Sequence, residues 1–434
     1  MINTKNGILH VDGCSTVSLA QEYGTPLFIM SEDHIASKCK EIREDFLNKY
    51  KNTRAAYAGK AFLTLEMCRI IEREGLCLDV VSGGELYTAI KANFPGGRIE
   101  FNGNNKSIEE IEMAIDYGVG RIIIDGTDEL LLIESVCRKR VKKVNALLRI
   151  SPGVDSHTHE FITTGNKDSK FGIPLDPNIF SSVFRSVLSS QYVNLLGFHF
   201  HVGSQLHDNE SHLKATSMLL DLIHDLKMTY GFNTAELNIG GGFGIRYTEE
   251  DDEQSYSYFL DPIMEMISDG FSSIGLPCPA VVIEPGRSIV GNAGVTLYSV
   301  GTVKNILGVH KYVSVDGGMT DNIRPALYEA NYECVIANRT DGFPADDDEA
   351  ESEPELVTIS GKCCESGDIL IKNVLLPAPE RGDLLAIFST GAYCYSMSSN
   401  YNKILFLPVV MTSSGQARLI VKRQSYDELI SREI

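Results

Sequence analysis

The chain has 434 residues, 43% hydrophobic and 22% charged, which argues for two domains of ordinary globular composition. Lys and Arg number 39 against 58 Asp and Glu, and the net charge of −19 argues against nucleic-acid backbones and anionic membranes as partners, while leaving room for a local basic pocket. There is no apolar run of about 18 residues, no basic segment ahead of an apolar core at the N-terminus, and no C-x-x-C among the ten cysteines, so a cytoplasmic protein with reduced thiols is expected.

In chain order, the segment "GILHVDGCSTVSLAQEYGTPLFIM" comes first, and its first strand is expected to pair with a sheet near the C-terminus. From about residue 54 to 284, eight β-rich runs alternate with helical stretches: "RAAYA", "CLDVV", "RIEF", "RIIID", "NALLRI", "NLLGFHFH", "AELNIG" and "AVVIEP". In "SIEEIEMAIDYG", Ile108, Ile111 and Ile115 recur at helical spacing. Ser107 and Glu110 form an S-x-x-E capping box, and Gly118 supplies the stop. Eight such units predict an α/β fold, a (β/α)8 TIM barrel over residues 28–285, with a doubly wound open sheet as the competing arrangement. Beyond Glu284, "GVTLYSVGTVKNIL", "KYVSVDGG", "LVTISGKC", "DLLAIFST" and "ARLIVKRQ" read as strands with little helix between them. Residues 1–27 and 286–434 are therefore expected to form a β-rich domain, sandwich- or barrel-like, that includes the N-terminal strand. The acidic run 339–355 reads as a solvated loop within it.

Unusual residues fall at the C-terminal ends of the barrel strands, where TIM barrels keep their chemistry. Lys60 follows "AAYAG"; a surface charge is the plain reading, and a desolvated amine is the chemical one. His201 and Ser204 end the sixth strand. His199 and His201 lie two apart, which suits a metal pair, a satisfied core histidine or a ring against a flat cofactor. Gly240, Gly241 and Gly242 make a tight turn that could also cradle a phosphate. Glu284 and Arg287 end the eighth strand, with a structural ion pair as the plain alternative. An amine, a phosphate-type turn, a flat-ring neighbour and a carboxylate at one barrel mouth are the four things that pyridoxal 5'-phosphate requires.

The motifs "YAGKAF", "DVVSGGEL", "SKFGI", "HFHVGSQ", "NIGGGFG", "EPGRSIV", "VDGGMTDNIRPALY", "CCESGD" and "GAYCYSMSSNYN", in that order, resemble the fold-type III, alanine-racemase-like pyridoxal-phosphate decarboxylases over nearly the whole chain. Within that family, "HVGSQ", "RPALY" and "CESGD" point to the branch acting on meso-2,6-diaminopimelate, which forms L-lysine and carbon dioxide. The resemblance implies that Lys60 carries the cofactor and His201 stacks on its ring. It places Ser204, Gly241, Gly242 and Tyr393 at the phosphate, and Glu284 at the pyridine nitrogen. It further implies a head-to-tail homodimer, in which Cys364 reaches the partner's cofactor as proton donor and Asp368 pairs with Lys170. Cys363 is left to packing. Arg287, Arg324 and Tyr328 suit the distal carboxylate of such a substrate, Glu365 suits its ammonium, and Tyr393 lies near it. Three other readings remain: a sister decarboxylase of carboxynorspermidine, ornithine or lysine; a non-catalytic binding protein, which the joint presence of Lys60, Glu284 and Cys364 opposes; and a metallohydrolase using His199 and His201.

Overall fold

The computed structural model describes residues 2–154, 169–340 and 354–434. Two compact units emerge: residues 38–245 with 252–288, and residues 1–37 with 246–251 and 289–434.

The first unit is a closed barrel of eight parallel strands: β1 (Thr53–Ala58), β2 (Cys77–Val80), β3 (Ile99–Phe101), β4 (Arg121–Ile124), β5 (Val144–Ser151), β6 (Val193–His199), β7 (Glu236–Asn238) and β8 (Ala280–Ile283). Closure comes from pairing Val281 with Thr53 at one seam, and every neighbouring pair around the ring is parallel. The open-sheet alternative is thereby excluded. Strands such as "AVVI" are apolar on both faces because helices cover the outside of the ring. Those helices start where a side chain satisfies the free N–H groups of the first turn. Thr64 caps Leu65–Arg73, Ser82 caps Gly83–Lys91, and Asp176 caps Pro177–Leu188. At Ile108–Tyr117 the expected capping box of Ser107 and Glu110 is present, and Gly118 closes the helix in the left-handed region at φ 76°. Each helix buries an apolar stripe. Met67, Cys68, Ile70 and Ile71 in Leu65–Arg73 are all buried, and each such large aliphatic side chain contributes about 1.5–3 kcal/mol.

The second unit is β-rich. Its central strand, Gly294–Ile306, runs antiparallel to Leu27–Ser31, His310–Val315 and Leu384–Ile387. Leu27–Ser31 also pairs parallel with Val409–Ser413. Leu9, Leu19, Ile29, Val295, Leu297 and Val410 share its core. The N-terminal residues thus join this unit, but not through the strand expected. Ile2–Lys5 pairs with Ile8–Val11 in a small separate sheet, and Leu27–Ser31 enters the large one. Leu27–Ser31 therefore belongs with the second unit. The core of the acidic run, residues 341–353, lies outside the described residues. Among the described residues, no helix is long and apolar enough to cross a membrane.

Candidate active site

The polar side chains of the barrel gather at the C-terminal ends of its strands. Glu284 directly follows β8, and its position is held by a backbone bond from its N–H to the Gly240 carbonyl at 2.8 Å. Its Oε1 accepts from Asn238 Nδ2 at 2.8 Å, Asn102 Nδ2 at 3.1 Å and His199 Nε2 at 3.1 Å. Burial opposes its charge. The His199 N–H, His201 and the Lys60 ammonium outweigh burial and hold the carboxyl well below the usual carboxylate range. His199 itself is driven by burial toward its neutral form, so it donates one N–H to Glu284 without adding a second charge.

Two further carboxyls lie close by, and their environments push them the other way. Asn238 Nδ2 also donates to Glu100 Oε2 at 2.8 Å, so one amide joins two carboxyls. Burial, and then the charge of Glu284, raise Glu100 to about 8. Asp79, which accepts from Asn102 at 2.6 Å, is raised well above its ordinary value by burial and then by Glu284. Glu236, below them, is matched by Arg121, whose Nε and Nη2 reach it at 2.6 and 2.9 Å. Of Glu284, Glu100 and Asp79, only Glu284 is set up to stay anionic. Carboxyls split this way are the arrangement found where one fixed negative charge is needed.

Lys60 lies in the turn Gly59–Ala61 after β1. The amine is exposed rather than desolvated, because it sits on the rim turn beyond the strand. Its charge still reaches Asp79, Glu85, His201 and Glu284. His201 is half-buried just past β6, and burial followed by the charges of Lys60 and Arg149 keeps it well below its ordinary value, hence neutral. Its Nδ1 accepts from the Gly241 N–H at 3.3 Å. The alternative of a metal pair finds no support: His199 Nε2 faces Glu284, His201 lies beyond the strand that carries His199, and no cluster of three or more metal-type ligands occurs among the described residues.

The glycine turn after β7 has no room for side chains. A Cβ on Gly241 would sit 2.0 Å from the Glu284 carbonyl oxygen, and one on Gly242, at φ 101°, 2.4 Å from that of Gly203. Gly240 N–H is bonded to Asn238 Oδ1 and Gly241 N–H to His201, while Gly242 N–H has no partner among the described residues. Ser204 Oγ stands in the neighbouring loop and accepts from Arg287 Nη2 at 2.9 Å. Arg287 is buried and linked to Ser204, while the partners of Glu284 are amides and an imidazole. A free N–H in a cramped glycine turn, with a serine hydroxyl and a guanidinium, suits an anion such as a phosphate. With the anionic Glu284, the flat His201 ring and the Lys60 amine, the donor set fits pyridoxal phosphate.

The second unit brings its own motifs together. Lys362 N–H donates to Gly317 O at 2.8 Å, Cys364 N–H to Asn402 Oδ1 at 2.6 Å, and Ser399 N–H to Thr320 O at 3.0 Å. These bonds join "VDGGMTDNIRPALY", "CCESGD" and "GAYCYSMSSNYN". Asp368 is buried, and its two oxygens accept from Met319 N–H at 2.6 Å and Cys363 N–H at 2.8 Å. Within the chain it organises this loop. Cys364 and Glu365 are exposed, Cys363 is buried, and Tyr328 and Tyr393 are half-buried. Tyr393 lies in the left-handed region at φ 61°, a sparsely populated conformation for a tyrosine. Arg324 is buried; its guanidinium lies 4.9 Å from the Tyr247 ring centroid and donates to the Tyr332 hydroxyl. The barrel unit thus holds Lys60, His201, Ser204, Gly241, Gly242, Glu284 and Arg287. The second unit holds Arg324, Tyr328, Cys364, Glu365 and Tyr393.

Asp79, Asn102, Asn238 and Glu100 were not singled out from sequence. The available signal was a polar residue between apolar neighbours, Asp79 in "CLDVV" and Asn238 in "AELNIG".

Residues 32–291 match the family described as "Pyridoxal-dependent decarboxylase, pyridoxal binding domain". The chain is 44% identical over 430 residues to the diaminopimelate decarboxylase of Bacillus subtilis (strain 168), covering 99% of this chain and 96% of that one. It superposes on the crystal structure of diaminopimelate decarboxylase from M. jannaschii in co-complex with L-lysine with a TM-score of 0.92, at 35% identity, covering 100% of this chain and 98% of that one. For the Helicobacter pylori diaminopimelate decarboxylase complexed with L-lysine the TM-score is 0.85 at 29% identity, covering 96% and 98%. The anion-suited glycine turn, the fixed negative charge at Glu284 and the Lys60 amine thus occur in a chain whose length and fold match these enzymes throughout, and the chain belongs to the pyridoxal-dependent decarboxylases.

Proposed function

We propose that the protein decarboxylates meso-2,6-diaminopimelate to L-lysine and carbon dioxide, the last step of lysine biosynthesis. The observation that carries this reading is the full-length likeness, across both units, to relatives that bear the name diaminopimelate decarboxylase.

Bound pyridoxal phosphate supplies the electron sink that accepts the electron pair left by departing carbon dioxide. Every other task falls to the chain. Lys60 holds the cofactor through its amine. Glu284, kept anionic by Asn238, Asn102 and His199, holds a proton at the pyridine nitrogen. His201, neutral and fixed by the Gly241 N–H, lies against the ring. Gly241 shapes the phosphate turn, Gly242 offers its N–H there, and Ser204, oriented by Arg287, adds its hydroxyl, with Tyr393 contributing from the second unit. Arg287, Arg324 and Tyr328 recognise the distal carboxylate, and Glu365 the distal ammonium. Opposite charges at that end are what separate this substrate from a basic amino acid such as ornithine, since a substrate lacking the distal carboxylate would forgo its charge-assisted bonds to these guanidinium groups, at about 1.5–3 kcal/mol each.

A head-to-tail homodimer in the cytoplasm is part of the proposal, with Cys364 delivering a proton to the partner's substrate carbon. The exposure of Cys364 and Glu365 in the single chain supports it. Supplied with pyridoxal phosphate and meso-diaminopimelate, the protein should form L-lysine and release carbon dioxide, and Lys60→Ala should do neither. Lysine formation undiminished in Lys60→Ala would refute the assignment.

A further inference from the structure

We propose that His212 is a positioning residue: it clamps the peptide between Gly241 and Gly242 and so aims the Gly242 N–H at the cofactor's phosphate. The inference rests on the reading that this turn holds the phosphate.

His212 lies in the helix Glu210–Tyr230, behind the turn, and is fully buried. Its ring stacks nearly parallel on Phe243, 8° apart with centroids at 5.7 Å, and meets Phe259 edge-on. Its Nε2 lies 2.9 Å from the Gly241 carbonyl oxygen. A carbonyl only accepts, so this nitrogen carries the proton and donates. The Nδ1 has no partner among the described residues, so the ring's one polar contact is to this turn.

That contact matters because a trans peptide is planar, with its carbonyl and its N–H on opposite sides. Drawing the Gly241 carbonyl toward His212 turns the Gly242 N–H away from the helix, toward the barrel mouth. Two glycines resist such a choice poorly on their own, since each populates many backbone conformations. The remaining polar groups of the turn are fixed too. Gly241 N–H is bonded to His201 Nδ1, and the Gly242 carbonyl accepts from Leu206 N–H at 2.9 Å. Gly241 is therefore gripped by a histidine on each side: its N–H sets the tautomer of His201, and its carbonyl is set by His212. The two peptides that flank Gly241 thus divide the work: the one before it fixes the cofactor-facing ring, and the one after it, held by His212, sets the direction of the anion-binding N–H.

The test compares binding of pyridoxal 5'-phosphate with binding of pyridoxal, which lacks the phosphate, to the full-length protein freed of cofactor and retitrated. His212→Phe keeps an aromatic ring between Phe243 and Phe259 but removes the donor; His212→Gln restores one. The expected result is that Phe weakens pyridoxal phosphate by about tenfold, the equivalent of one lost hydrogen bond, leaves pyridoxal unchanged, and that Gln recovers most of the loss. Equal weakening of both ligands would show simple packing damage and overturn the proposal, as would no weakening of either. A wild-type protein with no preference for the phosphorylated ligand would instead overturn the phosphate reading of the turn. Should Phe at this position give no folded protein by its melting curve, His212→Met, also without a donor, takes its place under the same criteria.

Discussion

Replacing Glu100 by Gln tests the buried charge arrangement most sharply, because the sign of its effect depends on pH. Glu100 lies inside the barrel, accepts from Asn238 at 2.8 Å and shares that amide with Glu284. Burial and the Glu284 charge move its carboxyl from 4.5 to about 8. The unfolded chain releases this proton near pH 4.5, while the folded protein keeps it until about pH 8. Between those values the folded state binds more protons, so stability falls as pH rises. Below the lower value both states are protonated and nothing is lost; above the higher one the loss is complete. At about 1.4 kcal/mol for each pH unit, the ceiling is about 5 kcal/mol. Gln keeps the acceptor for Asn238 and cannot ionise. Glu100→Gln should therefore match the wild type near pH 5 and exceed it increasingly toward pH 8 in denaturant unfolding followed by circular dichroism. Parallel pH profiles for the two proteins would refute the claim that Glu100 is held protonated.

Other consequences follow from the same contacts. Glu284→Gln removes the fixed negative charge and should lower kcat by about a hundred- to a thousandfold while the cofactor still attaches to Lys60; a kcat within about twofold of wild type would contradict the role given to Glu284. Cys364→Ala should slow turnover without changing cofactor affinity, and unchanged turnover would remove it as proton donor. Asp368→Ala leaves the N–H groups of Met319 and Cys363 without their acceptor. At about 1.5–3 kcal/mol for each charge-assisted bond, it should lower the melting temperature clearly, and an unshifted melt would show that the loop holds by other means.

The barrel was legible because its signals are local. Eight apolar runs, a capping box at Ser107 and a stop at Gly118 each lie within a few neighbours, and the structure has them all. The expected barrel bounds of 28–285 take in residues 28–31 because an apolar run does not state which sheet it enters; the partners of Leu27–Ser31, at Gly294–Leu297 and Val409–Thr412, lie hundreds of residues away. The charged and glycine-rich parts of the site could be read from motifs, since lysine, glycine and glutamate at strand ends have few structural uses. The amides that hold Glu284 could not. Asn238 is meaningful only beside Glu100, 138 residues earlier, and Asn102 only beside Glu284, 182 residues later. Asp368 shows the same limit in the second unit. Its motif marks it as important, but only the fold shows that its oxygens cap the N–H groups of Met319 and Cys363.

The most direct test is a competition in one vessel. The purified protein with pyridoxal phosphate would be given equal concentrations of meso-diaminopimelate, L-ornithine, L-arginine, L-lysine and carboxynorspermidine, with carbon dioxide and amine products followed together. The account predicts consumption of diaminopimelate and appearance of L-lysine, with the other four untouched. Preferential consumption of any of the others would contradict the assignment of the distal-group residues, and no carbon dioxide from any of them, with cofactor bound at Lys60, would contradict the proposed reaction itself.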